Sequence, residues 1–83
     1  MTVAERMRKD GWRQYANGMW VLDYQGSECV VMAVTSRWRF GAIAINQFRD
    51  RPQFFYAYEA VGLRDLAQRA KAAARRLARK GRA

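Results

Sequence analysis

Residues 61–80 repeat apolar side chains at helical spacing, and no other feature of the chain restricts its fold as strongly. Leu63, Leu66, Ala67, Ala70, Ala74 and Leu77 recur at the three- and four-residue intervals that line one face of an α-helix. The stretch contains no proline and is built largely from strong helix formers. At about 100° per residue, Arg64, Lys71, Arg75 and Arg79 flank one side of the stripe, and Arg69, Arg76 and Lys80 flank the other. Asp65 is the one acid of the segment. A stripe of leucines and alanines this narrow needs a flat apolar surface to lie on, and the middle of the chain is the place to look for it.

At the N-terminus, Thr2-Val-Ala-Glu5 has the spacing of a capping box, in which the hydroxyl and carboxylate satisfy free backbone donors of a first helical turn. Residues 1–10 therefore read either as a short helix, with Val3 and Met7 as its apolar face and Gly11 as its stop, or as a frayed tail. From Trp12 the period changes towards two. Asn17-Gly18 separates Trp12–Tyr15 from Met19–Tyr24, which is a strong hairpin signal because both turn residues tolerate positive φ. Gln25–Glu28 is a second turn. The continuous run from Cys29 to Thr35 has the character of a central strand.

Ser36–Phe40 alternates polar and aromatic residues, with Trp38 and Phe40 expected to face the helix. Gly41 reads as a bend or bulge before a strand over Ala42–Ile45. A polar loop through Arg49–Pro52 leads to a last strand, Gln53–Tyr58, and Gly62 punctuates the entry to the long helix. These segments predict an α+β domain over residues 1–83. It is an antiparallel β-meander of three to five strands within residues 12–58, with the C-terminal amphipathic helix (61–80) packed across one face.

Much chemistry is missing. The chain contains no histidine, so the commonest general base, the Ser-His and Cys-His pairs and His-based zinc sites are all excluded. Its lone cysteine, Cys29, lies in an apolar run and is expected to pack rather than react. Asp23 and Glu28 flank a turn, but no acid pair lies in a recognisable metal or catalytic motif. No Gly-rich phosphate loop and no nucleophile elbow occurs. No enzyme activity, cofactor or metal is expected. The longest apolar run, Cys29–Val34, is far too short to span a bilayer, and the first residues lack the apolar core of a signal peptide. With no disulfide available within one chain, a soluble protein of a reducing, cytoplasmic compartment is expected, present as a monomer or weak homodimer.

The charge is what remains. The chain carries +9, and residues 64–83 hold +7 of it: eight Lys/Arg against one acid. A field so localised favours a nucleic acid, an anionic membrane or an acidic protein surface, of which the membrane is not expected here; the plainer alternative is a solvated helix face. The helix cations Arg64, Arg69, Lys71, Arg75, Arg76, Arg79 and Lys80 are the candidate contacts. Arg37 and Arg39 join them, because Arg37-Trp38-Arg39-Phe40 interleaves basic and aromatic residues as surfaces that bind single-stranded nucleic acid do.

Strands followed by a helix containing Ala70-Lys71-Ala72-Ala73-Ala74 resemble the end of a double-stranded-RNA-binding domain. Gly62-Leu-Arg-Asp65 stands where such domains carry paired lysines. Taken whole, the Trp-rich hairpin, further strands and Ala-rich basic helix are similar to small accessory proteins of phages and mobile elements, of the anti-CRISPR type. That resemblance is one of pattern along all 83 residues and rests on no shared motif. It implies a non-enzymatic inhibitor, acting in a bacterial host, that blocks the nucleic-acid-binding site or the assembly of a nucleoprotein effector. The alternative is a stand-alone DNA- or RNA-binding protein.

Overall fold

The computed structural model describes residues 1–16, 18–33, 40–47 and 54–80. Its elements run α1 (Val3–Lys9), β1 (Arg13–Ala16), β2 (Met19–Tyr24), β3 (Ser27–Ala33), β4 (Gly41–Asn46), β5 (Phe54–Tyr58) and α2 (Leu63–Lys80). The five strands form one antiparallel meander in chain order, with α2 lying mainly over β3 and β4. This is the expected α+β fold, with the short N-terminal helix present.

Local chemistry explains each boundary. The Glu5 N–H donates to Thr2 Oγ1, and the Thr2 hydroxyl donates to the Glu5 carboxylate, both at 3.1 Å, so α1 starts as the capping signal predicts. It ends in a Schellman turn: Gly11 sits at φ +101°, its N–H donates to Arg8 O, and the Trp12 N–H donates to Met7 O. That turn aims Trp12 and Met7 into the same core cluster. The apolar face of α1 differs from the expected one: Val3 is 49% exposed, and Ala4 takes its place against the core. Between β2 and β3, Gln25 and Gly26 both have positive φ (50° and 83°), the type I′ geometry that suits a two-residue hairpin. α2 begins at Leu63, two residues later than the periodicity suggests, leaving Val61 96% exposed. Asp65 holds the entry, accepting from the Val61 N–H at 3.2 Å.

Register decides what faces the helix. One row across the sheet is Trp20, Val31, Ile43 and Tyr56; the next is Leu22, Cys29 and Ile45. These residues, with Met7 and Trp12, pack against Leu63, Leu66, Ala67, Ala70, Ala73, Ala74 and Leu77 of α2. Ala73 was outside the expected stripe, which is therefore one residue wider. The sheet's other face carries Met19, Val21, Val30, Met32, Ala42 and Ala44, with Ala42 and Val21 buried.

Gly41 forms no bulge. It is paired regularly with Ala33 and Tyr58, and its missing side chain is what matters. A Cβ placed there would stand 2.2 Å from Cδ1 of Leu66, a residue with no exposed surface. With Gly41 taking the helix-facing position in this stretch, Phe40 does not face the helix as expected but is 41% exposed.

Leu66→Ala should cost about 2–4 kcal/mol in denaturant unfolding, since it leaves a cavity in a closed core. Gly41→Ala should cost about 1–3 kcal/mol by overpacking. Because the two side chains would claim the same space, the double variant should lose clearly less than the sum. Additive losses would show that Leu66 does not rest on Gly41.

Candidate functional site

The outer side of α2 carries the sequence's candidate cations, and the fold divides them into two groups. The first is engaged within the molecule. Lys71 Nζ lies 2.6 Å from Asp10 Oδ2 and 5.4 Å from the Tyr24 ring centroid, with only 15% of its side chain exposed. Arg69 Nε donates to Asp65 Oδ2 at 3.4 Å, while its guanidinium lies 4.8 Å from the Tyr58 ring centroid. Arg75 donates from Nη1 to the Tyr24 hydroxyl at 3.3 Å. Tyr24 ends β2 and Tyr58 ends β5, so the two phenol rings flank the helix beneath these cations. Cation–π contacts of this kind contribute about 0.5–1 kcal/mol at exposed sites.

The second group is turned to solvent. Arg64, Arg76, Arg79 and Lys80 are exposed, and among the described residues none of them has an ion-pair partner. Helix geometry accounts for Lys71 and Arg69, whereas Arg75 is engaged, among the described residues, only through the Tyr24 hydroxyl. Lys71 and Arg69 border the buried stripe and overhang the sheet, where Asp10, Tyr24 and Tyr58 can reach them. The others point further outwards or lie in the last turns.

Sequence reasoning overlooked α1 as a source of charge. Its seven residues include Arg6, Arg8 and Lys9. Arg8 lies 5.7 Å from the Trp20 ring centroid, while Arg6 and Lys9 look towards the start of α2. The available signal was the capping box: once α1 is helical, these residues become a fixed surface rather than a tail. Arg37, Arg39 and the Arg49–Pro52 loop lie outside the described residues.

The buried groups fit a supporting core. Cys29 has no exposed surface, and its Sγ lies 4.0 Å from the Ala70 carbonyl. Burial, with the nearby Asp23 adding to it, pushes its thiol up to about 11. It is a neutral packing group at physiological pH. Asp23 and Glu28 do face each other across the hairpin, and Asp23 also meets Arg13 at 3.9 Å. Among the described residues no three His, Cys, Asp or Glu side chains are grouped to hold a metal, and no helix is long and apolar enough to cross a membrane. Comparison with protein families, characterised proteins and solved structures finds no match to this chain.

The Lys71 hydrogen bond holds the Asp10 carboxyl below its usual range, against the opposing effect of partial burial. A lowered folded-state value means that Asp10 stabilises the fold above the unfolded carboxylate range and stops doing so as pH falls through its own. Asp10→Asn should therefore cost about 1 kcal/mol at neutral pH. It should also flatten the loss of stability below pH 4, read from urea midpoints. Cys29 works in the opposite sense: its stabilisation is full below pH 9 and lost as pH rises towards 11. Wild type should lose stability more steeply than Cys29→Ala over that interval. Parallel curves would place the thiol in water.

Proposed function

We propose that this chain is a small, basic, non-enzymatic binding protein that docks the outer face of α2 on nucleic-acid phosphates. It acts by occupying a nucleoprotein effector rather than by transforming a substrate. One observation carries the reading: the charge of the last two helical turns, which no acid among the described residues pairs. Arg75, Arg76, Arg79 and Lys80 are all exposed, and the pairs 75/79, 76/79 and 76/80 stand three or four residues apart. Like charges at such spacings destabilise a helix by about 0.2–0.5 kcal/mol per pair. Attraction to the helix C-terminus, about 0.3–1 kcal/mol for each of Arg79 and Lys80, is of similar size, so the fold tolerates this charge without needing it.

A polyanion removes the repulsion. Its phosphates make charge-assisted contacts, bidentate where arginine is the donor, and each contact releases counterions. The apolar stripe of α2 is already buried against the sheet, so the helix offers a partner charge rather than a hydrophobic seam. An inhibitor of the anti-CRISPR type would use this face against the nucleic acid of its target. A stand-alone DNA- or RNA-binding protein would use the same residues without the protein component.

The test is a salt titration of binding to random duplex DNA. Four phosphate contacts should give a log–log slope of about −3 to −4. Arg75→Glu with Arg79→Glu should weaken binding at least tenfold, about 1.4 kcal/mol, and flatten that slope. The melting temperature should stay within about 2 °C, since exposed charges contribute little to stability. Arg76→Glu with Lys80→Glu reports on the opposite ridge. If both double variants bind like the wild type, or if affinity ignores salt, α2 is not the docking face.

A further inference from the structure

Positive charge also converges away from the last turns of α2. A concavity of about 320 Å³ opens between α1 and the first turn of α2, lined by Met1, Arg6, Lys9, Asp10 and Arg64. Arg6 and Lys9 are three residues apart and so share one face of α1, while Arg64 enters from α2. Among the described residues no ion pair or side-chain hydrogen bond engages any of these three cations. The one acid in the wall, Asp10, is already held by Lys71 at 2.6 Å and by Trp12 Nε1 at 3.3 Å. The Schellman turn and the burial of Met7 fix α1 in place, so Arg6 and Lys9 have a rigid mounting, and Asp10 acts on Arg64 only at longer range. Converging guanidinium and ammonium groups around a small hollow suit a compact anion with several oxygens.

We propose that this concavity binds one phosphodiester of the nucleic acid whose other phosphates lie along the outer face of α2. The assignment rests on the function proposed for α2 and extends it to a second contact point. Arg64 joins the two, because it lines the hollow and also begins the ridge that continues to Arg75 and Arg79. At 1.5 Å per residue, Arg64 and Arg79 lie about 22 Å apart along the helix axis. A duplex strand carries a phosphate every 3.4 Å or so of its own axis, so that span can meet well-separated phosphates of one strand. Between the two points Lys71 is withdrawn by Asp10. The footprint is thus bipartite, not a continuous stripe.

The probe is a random duplex with 5′-hydroxyl ends, which presents phosphodiesters only. Arg6→Gln with Lys9→Gln should weaken binding at least fivefold and flatten the log–log salt slope by about 0.9, the loss of one phosphate contact. Arg8→Gln with Arg13→Gln removes the same charge from side chains lying over Trp20 and Tyr15, and should leave affinity within twofold. Equal losses in the two pairs, or no loss in the first, overturn the phosphate site. If only Arg75→Glu with Arg79→Glu abolishes binding, the concavity fails while the α2 reading stands; if no variant differs from wild type, both fail. Inorganic phosphate, followed through the arginine Nε–H resonances, reads the hollow without nucleic acid. Arg6 and Arg64 should shift before Arg76, and a uniform response or none would sink the site whatever α2 does.

Discussion

The close seating of α2 on the sheet, with Leu66 over the bare backbone of Gly41, is the contact on which the rest of the molecule depends. Close approach needs small residues on both sides. Gly41 supplies the space beneath Leu66, and Ala67, Ala70, Ala73 and Ala74 keep the helix backbone near the strands. One consequence is visible at Cys29, whose Sγ comes within 4.0 Å of the Ala70 carbonyl. In a chain of 83 residues the fraction of surface buried is modest, so a tight contact over β3 and β4 matters more than it would in a larger core.

That seating also determines what the helix cations do. With α2 low on the sheet, Tyr24 and Tyr58 stand at its flanks and take up Lys71 and Arg69. Asp10, brought in by the turn after α1, completes the hold on Lys71. The acid at the start of α2 and the cations at its end both suit the helix dipole, but the dipole does not require so many cations in the last two turns. Their mutual repulsion and their attraction to the helix end are of similar size, so the fold gains little from them either way.

The concavity beside α1 adds to this picture without depending on the same side chains as the last turns. Arg6 and Lys9 would be ordinary surface charges on a mobile tail. Held by the Schellman turn and by Met7, they instead meet Arg64 across a fixed hollow. Local chain chemistry at Gly11 and long-range packing at Met7 are both needed to place them.

The sequence by itself determined the elements. Helical spacing from Leu63 to Leu77, the capping box at Thr2–Glu5 and the turn residues Gly18, Gln25 and Gly26 are local signals, and local signals survive without knowledge of the fold. The absence of histidine and the concentration of charge in residues 64–83 were equally plain. What only the tertiary structure decided was which residues meet across large separations. Gly41 looked like a bulge because a glycine in a strand shows only its own flexibility; its use as a landing place for Leu66 depends on a residue 25 positions away. Lys71 and Arg64 both follow from the same helical period, yet one is tied to Asp10 and the other opens onto a hollow with Arg6 and Lys9. Periodicity assigns a side chain to a face of its own helix. The height and position of that helix over the sheet decide what stands opposite, and those depend on packing across the whole chain.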